Sequence, residues 1–102
     1  MNKTRKHVNE NKLQEAIDSL IQMKPFPLLD LIDGIDAKDG HTYGWYVRHA
    51  GNVNVLKLFI SDCINYIDFL FSQEIFCDGF VDICMRDGSF LRILFRIRDL
   101  MM

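Results

Sequence analysis

The sequence predicts a single α+β domain, a two-layer sandwich in which two helices pack on a small antiparallel or mixed sheet. Three observations favour this class: a helical repeat over about 10–23, a long apolar segment over 53–73, and a hairpin pattern near the end of the chain. The predicted element order is α-β-α-β-β. A chain of 102 residues has room for one core, and its 49% hydrophobic content is enough to build it.

The predicted first helix covers about residues 10–23. Apolar residues recur at helical spacing from Leu13 to Ile21, and Pro25 stops the helix. Residues 25–40 favour neither a helix nor a strand. Aspartates at 30, 33, 36 and 39 recur there, but they lack the spacing of a calcium-binding EF-hand loop. We interpret this segment as an acidic loop that turns the chain, and the sequence predicts no metal site and no cofactor.

Tyr43 to His49 predicts a strand, because aromatic and apolar residues alternate along it. Aromatic and ionisable side chains are dense here, which makes a small-molecule pocket one candidate site. Its lining would be His41, Tyr43, Trp45, Arg48 and His49. The competing interpretation is a strand whose aromatic side chains fill the core.

The segment 53–73 predicts one long helix that is buried on most of its circumference. A polar stripe crosses an otherwise apolar sequence at helical spacing, and it consists of Lys57, Ser61, Asn65, Asp68 and Ser72. Two β-strands are the alternative, since Ile, Phe, Val and Tyr favour sheets.

Residues 80–98 predict a β-hairpin around Asp87-Gly88. A three-residue loop would pair Ile83 with Ile93 and place the core-type side chains on one face. The opposite face would then carry Asp82 diagonally between two arginines.

That opposite face, together with the apolar end of the chain, predicts a surface for a second copy or for another protein, since Arg and aromatic residues are enriched at interfaces. Its residues are Phe80, Asp82, Phe90, Arg92, Leu94, Arg96, Arg98 and Met101. A solvated face of weak ion pairs is the alternative. A third hypothesis is an anion or nucleic-acid site on Arg92, Arg96 and Arg98.

Charge is distributed unevenly along the chain. Residues 1–12 carry a net charge of +3, residues 13–85 of −7 and residues 86–102 of +2. We interpret 1–9 as a basic, flexible N-terminal arm and 10–102 as the folded domain. Nucleic-acid-binding domains are usually basic, so a chain of net charge −2 is not expected to bind nucleic acid.

The cellular location follows from what the sequence lacks. No run of about 18 apolar residues predicts a membrane span, and no apolar segment follows the basic N-terminus as it does in a secretion signal. Three cysteines without a CxxC pair do not predict a disulfide framework. The cytoplasm is the expected compartment.

The favoured function is that of a small non-enzymatic binding or regulatory protein, comparable in size and class with inhibitors and immunity-type proteins, and acting as a homodimer or on another protein. No catalytic Cys–His pair, zinc-ligand spacing or phosphate-binding glycine loop is recognised. An enzyme is therefore the less expected class. A small-molecule-binding domain or minimal enzyme that uses Tyr43–His49 is the alternative.

Overall fold

The computed structural model describes residues 8–33, 35–49 and 51–101. The helices in this part of the chain are α1 Glu10–Ile21, α2 Phe26–Ile32, α3 Tyr43–Arg48, α4 Ile60–Ser72, α5 Phe80–Arg86 and α6 Ser89–Met101. Two 3-10 turns, Val55–Lys57 and Gln73–Ile75, flank α4. The described residues contain no strand, so the predicted α+β sandwich is wrong and the fold is all-helical.

The prediction of a first helix is confirmed by α1. Asn9 caps it, since its side-chain oxygen accepts a hydrogen bond from the Lys12 amide at 3.0 Å. The buried face consists of Leu13, Ala16, Ile17 and Leu20. The helix ends before the predicted boundary because Met23 has a φ of 62°, which a right-handed helix does not contain. α2 follows and packs against α1.

The predicted N-terminal arm falls mostly on residues 1–7, which lie outside the described residues. Its last two residues, Val8 and Asn9, are described. Val8 is buried in the core and Asn9 caps α1, so both are part of the packed domain.

The strand predicted at Tyr43–His49 is instead the helix α3. The Thr42 hydroxyl accepts a hydrogen bond from the Trp45 amide at 3.2 Å, and this N-cap starts the helix. Tyr46 is fully buried and stacks on Tyr66 of α4. The fully buried core contact of this segment is therefore made by Tyr46, and Trp45 packs only partly against the core.

The helix predicted over 53–73 is present but shorter, as α4. It is the central helix and packs against α2, α3, α5 and α6. Its apolar face places Ile60, Cys63 and Ile67 in the core. Ser61, in the predicted polar stripe, is also buried. That stripe therefore does not simply face solvent, and it contacts another part of the chain.

The predicted C-terminal hairpin of strands is a pair of helices, α5 and α6. Four side chains of α6 are fully buried at the spacing of one helical face: Phe90, Ile93, Leu94 and Ile97. Gly88 has a φ of 82°, and the Asp87 carboxylate accepts from the Ser89 amide at 2.8 Å. Asp87-Gly88 thus ends α5 and starts α6. Ile83 and Phe95, both assigned to the core face of the sheet, are 47% and 38% exposed.

Within the described residues, none of the helices combines the length and the apolar character that a membrane crossing needs.

Candidate functional site

An open groove of about 960 Å³ lies between α2, residues 35–43 and α4. Its lining mixes buried apolar side chains with exposed carboxylates. The lining residues are Leu29, Asp30, Ile32, Asp33, Ile35, Asp36, Ala37, Lys38, Gly40, His41, Thr42, Tyr43, Ile64, Asn65, Asp68 and Phe69. We call this feature the acidic groove.

One wall of the acidic groove, residues 37–42, is hydrogen-bonded to α4. The Asn65 amide donates to the backbone carbonyls of Ala37 and His41 at 2.7 and 3.0 Å. The Ser61 hydroxyl donates to the Asp39 carboxylate at 2.7 Å. Because Ser61 and Asn65 belong to one stripe of α4, this stripe fixes the shape of the wall.

Asp62 makes a further connection between the wall and α4. Its carboxylate accepts from the backbone amides of His41 at 2.9 Å and Phe59 at 3.1 Å, so it both anchors the wall and caps the start of α4. The Tyr46 hydroxyl donates to the Asp62 carbonyl at 2.7 Å. Burial raises the pKa of Tyr46, and the nearby Asp62 adds to this shift, so the phenol stays a neutral donor.

Gly40 is the point where the wall approaches α4 most closely. A Cβ added there would lie 2.7 Å from the amide nitrogen of Asn65 and 2.8 Å from backbone atoms of Ser61. Real Cβ atoms do not make such contacts with backbone, so only glycine fits without a shift in the wall.

The rim of the acidic groove is negatively charged. Asp30, Asp33, Asp36 and Asp68 are exposed there against the single Lys38, a formal net charge of −3. Three of these carboxylates belong to the segment interpreted as an acidic loop, but Asp30 lies in α2 and only Asp33 and Asp36 follow that helix. Asp68 joins them from the polar stripe of α4. Among the described residues, no group of three His, Cys, Asp or Glu side chains is close enough to hold a metal ion.

The residues of the predicted small-molecule pocket are only partly brought together here. His41 and Tyr43 line the acidic groove, whereas Trp45, Arg48 and His49 do not. His41, Trp45 and His49 instead form a column of stacked rings, with centroid distances of 3.7 and 4.1 Å.

The residues of the predicted interface do not form one face. Phe90 and Leu94 are fully buried in the core, and Phe80, Leu100 and Met101 pack partly against it. Asp82 forms an ion pair with Arg86 on its own helix at 2.8 Å. The predicted position of Asp82 between Arg92 and Arg96 is therefore wrong. The cause is the helical backbone, which separates residues that a strand would have placed side by side.

The three arginines of that interface lie along α6. Arg96 donates from Nε to the Leu58 carbonyl at 2.8 Å, which fixes the segment before α4 against α6. Arg98 lies over the Phe95 ring at 4.8 Å, and Arg92 is exposed.

Two of the three cysteines are poor nucleophiles. Cys63 and Cys84 are buried, and burial raises the pKa of Cys63 to about 12 and that of Cys84 to about 11. Thiolate is the reactive form, so neither carries an activated thiol near neutral pH. Cys77 is exposed and lies outside the acidic groove.

Sequence reasoning missed Gly40, Asp62 and Asn65, the residues that shape the site. The signal for Asn65 was the polar stripe on an otherwise apolar helix, since buried polar groups need hydrogen-bond partners; Gly40 and Asp62 lie outside that stripe. Comparison with known proteins gives no relative: no family matches the chain, and no curated protein or solved structure is similar enough to count as a match. The function must therefore be inferred from the geometry of the site itself.

Proposed function

We propose that this chain is a non-enzymatic protein-binding module whose acidic groove receives a basic segment of a partner protein. The observation that carries this proposal is the combination of buried apolar side chains with four exposed carboxylates in one groove. Apolar side chains of the segment would pack on Leu29, Ile32 and Ile35, which line the groove and are partly exposed. Its lysines or arginines would lie near the carboxylates.

The construction of the wall supports this role. Binding is weakened when a loop must be ordered at the same time, and a preformed site avoids that loss. Residues 37–42 are already held to α4 by Ser61, Asp62 and Asn65. The carboxylates add specificity and a faster encounter with a positively charged partner, as complementary charge does at other interfaces.

The test is a titration of the full chain with a short labelled peptide that alternates lysine and leucine, followed by fluorescence anisotropy. We expect binding that weakens as salt is raised, because salt screens exposed charges. A variant carrying Asp30→Asn, Asp33→Asn and Asp68→Asn removes three rim charges. At about 0.2–1 kcal/mol for each exposed pair, it should bind roughly three- to a hundredfold more weakly.

The matched control removes three carboxylates elsewhere, with Glu15→Gln, Asp18→Asn and Asp78→Asn. It changes the net charge equally and should leave the affinity close to that of the wild type. Equal losses in the two variants would show that only overall charge matters. No binding by the wild type would contradict the proposal.

A small cationic molecule is the second candidate occupant. The groove volume falls within the usual range for ligand pockets, and His41 and Tyr43 line it. Ligands that bind the folded state raise its Tm. A thermal-shift screen of polyamines and aromatic amines would test this candidate, with the Asp30, Asp33 and Asp68 variant as the control for binding in the groove.

We also propose that the protein works in a reducing compartment such as the cytoplasm. All three cysteines are free, and Cys77 exposes a thiol that an oxidising compartment would modify. Alkylation of cell lysate before denaturation should find Cys77 as a free thiol, and recovery of this residue in a disulfide would contradict the proposal.

A further inference from the structure

A second surface combines exposed apolar side chains with positive charge. Leu56, Phe59 and Phe95 are 73%, 52% and 38% exposed. Lys57, Arg92 and Arg98 are exposed on the same two segments. We call these six residues the basic surface.

The two segments that carry the basic surface are packed together. The 3-10 turn Val55–Lys57 packs against α6. The hydrogen bond from Arg96 to the Leu58 carbonyl holds the segment before α4 against the same helix. On α6, the guanidinium carbon of Arg98 lies 4.8 Å from the centre of the Phe95 ring. Exposed apolar side chains that lie beside charged ones in this way are typical of protein-binding surfaces.

The basic surface and the acidic groove lie on different sides of α4. Ser61, Asn65 and Asp68 face the groove, whereas Cys63 lies on the side of α6, where its pKa responds to the Arg96 charge. Successive residues of a helix are about 100° apart around its axis, so Cys63 lies on nearly the opposite side of α4 from Ser61, Asn65 and Asp68. A chain that offers its groove to one partner therefore keeps its basic surface free for another.

The charges of the two regions are complementary. The acidic groove has a formal net charge of −3. The basic surface, counted with the neighbouring Arg96 and Asp99 of α6 and with Glu10, which lines a cleft together with Arg98, has a net charge of +2. Both regions also carry apolar side chains, so close contact would bury apolar area as well as pair charges.

We propose that the acidic groove receives the basic surface of a second copy of this chain. This inference rests on the proposed function and names the partner of the groove. The contact is head-to-tail, because the two surfaces are different regions of one chain. Such contacts add further copies unless the rotation between them closes a ring. The assembly should therefore grow with concentration and dissociate as salt rises.

Sedimentation velocity of the wild-type chain, across a range of concentration and salt, tests the first part of this inference. We expect the mean mass to rise with concentration at low salt and to return to that of a monomer at high salt. A monomer at every concentration and salt would overturn the inference. Association that high salt does not weaken would also overturn it, since the contact would then be apolar and independent of these charges.

Two variants test which surfaces meet. One carries Asp33→Asn and Asp68→Asn in the acidic groove, and the other carries Arg92→Gln and Arg98→Gln on the basic surface. All four side chains are exposed, so circular dichroism should show unchanged helix content. Each variant alone should associate roughly two- to thirtyfold more weakly than the wild type, which is the range for losing two exposed ion pairs.

Mixing the two variants is the decisive measurement. The first keeps an intact basic surface and the second keeps an intact groove, so the mixture should form a complex of one copy of each and nothing larger. Two variants that stay monomeric when mixed would overturn the inference. The lysine-leucine peptide separates this result from the proposed function: peptide binding by a monomeric wild-type chain leaves the groove function standing without self-association. Self-association without peptide binding would contradict the proposal that the groove receives a basic segment, and would support only the contact between copies.

Discussion

Gly40→Ala tests whether the groove wall depends on the close approach between residues 37–42 and α4. The added Cβ would lie 2.7 Å from the Asn65 amide nitrogen and 2.8 Å from the backbone of Ser61. The side chain of Asn65 can rotate away, but the backbone of α4 at Ser61 cannot. The wall must then move outwards from the helix.

The magnitude follows from the contacts that this movement would break. Overpacking of this kind costs about 1–3 kcal/mol. Loss of the two hydrogen bonds from Asn65 to Ala37 and His41 costs about 0.5–1.5 kcal/mol each. We therefore expect the free energy of unfolding to fall by about 2–6 kcal/mol, a large share of the roughly 5–15 kcal/mol that a domain of this size has. The Tm should fall by at least about 8 °C.

Gly44→Ala is the matched control, since Gly44 lies within α3 and its added Cβ would meet the flexible end of Arg48 at 3.4 Å and the Thr42 hydroxyl at 3.9 Å, an ordinary van der Waals distance. Alanine in a helix is favoured over glycine by roughly 0.5–1 kcal/mol, so this variant should be as stable as the wild type or slightly more stable. Thermal and urea unfolding followed by circular dichroism measure both. A Gly40→Ala variant within about 0.5 kcal/mol of the wild type would refute the argument for the wall, because that is the ordinary scatter of surface substitutions.

Three further predictions concern the core, a loop and the thiols. Phe90→Ala should lower the free energy of unfolding by about 3–5 kcal/mol, because Phe90 is fully buried. Ile83→Ala, on the exposed side of α5, should change this free energy little. Similar losses in the two variants would contradict the helical structure of the C-terminal segment. The pKa of Glu74 is lowered because its carboxylate accepts hydrogen bonds from the backbone amides of Val81 and Gly79. These two hydrogen bonds therefore stabilise the fold at pH values above the ordinary pKa of glutamate. Their stabilisation is lost as the pH falls through the lowered pKa. Glu74→Ala should lower the Tm at pH 7 but not once Glu74 is protonated in both states, and an equal deficit at both pH values would contradict this. In the native chain a thiol reagent should label one cysteine quickly and the two buried ones only on unfolding, and three equal rates would contradict their burial.

The first helix and the centre of α4 could be predicted from the sequence because their signals are long. α1 shows a helical repeat over twelve residues with a cap at Asn9. α4 combines a polar stripe with an apolar remainder, which excludes simple alternation. In both segments the spacing of apolar residues alone distinguishes a helix from a strand.

The prediction failed in the short helix α3 and in the longer helix α6, both rich in aromatic and β-branched residues. The six residues of α3 are too few for the spacing of their apolar side chains to distinguish a strand from a helix. The burial of Tyr46 in the folded structure decides between the two. In α6, the spacing of Phe90, Ile93, Leu94 and Ile97 was available in the sequence. A hairpin was predicted because Asp87-Gly88 turns the chain in either structure, ending a helix as readily as joining two strands.

The acidic groove was only half visible in the sequence. The aspartates at 30, 33 and 36 were recognised as an acidic loop, but the partner of that loop is a stripe on α4 more than twenty residues away. A polar stripe on a largely buried helix requires partners for its hydrogen-bonding groups. Matching the stripe to the loop would have needed the helical register of α4 together with knowledge of which face it buries.

The way the wall is attached also bears on its role. Residues 37–42 would be held to α4 at least as firmly by apolar side chains, since a hydrogen bond contributes only about 0.5–1.5 kcal/mol net of the water that it replaces. Directional contacts from Ser61, Asp62 and Asn65 do what apolar contacts cannot, because they fix the backbone of the wall in one position. The same backbone carries Ala37, Lys38 and His41 into the groove. Stability alone does not require this arrangement, whereas a groove that must present one fixed shape to a partner does.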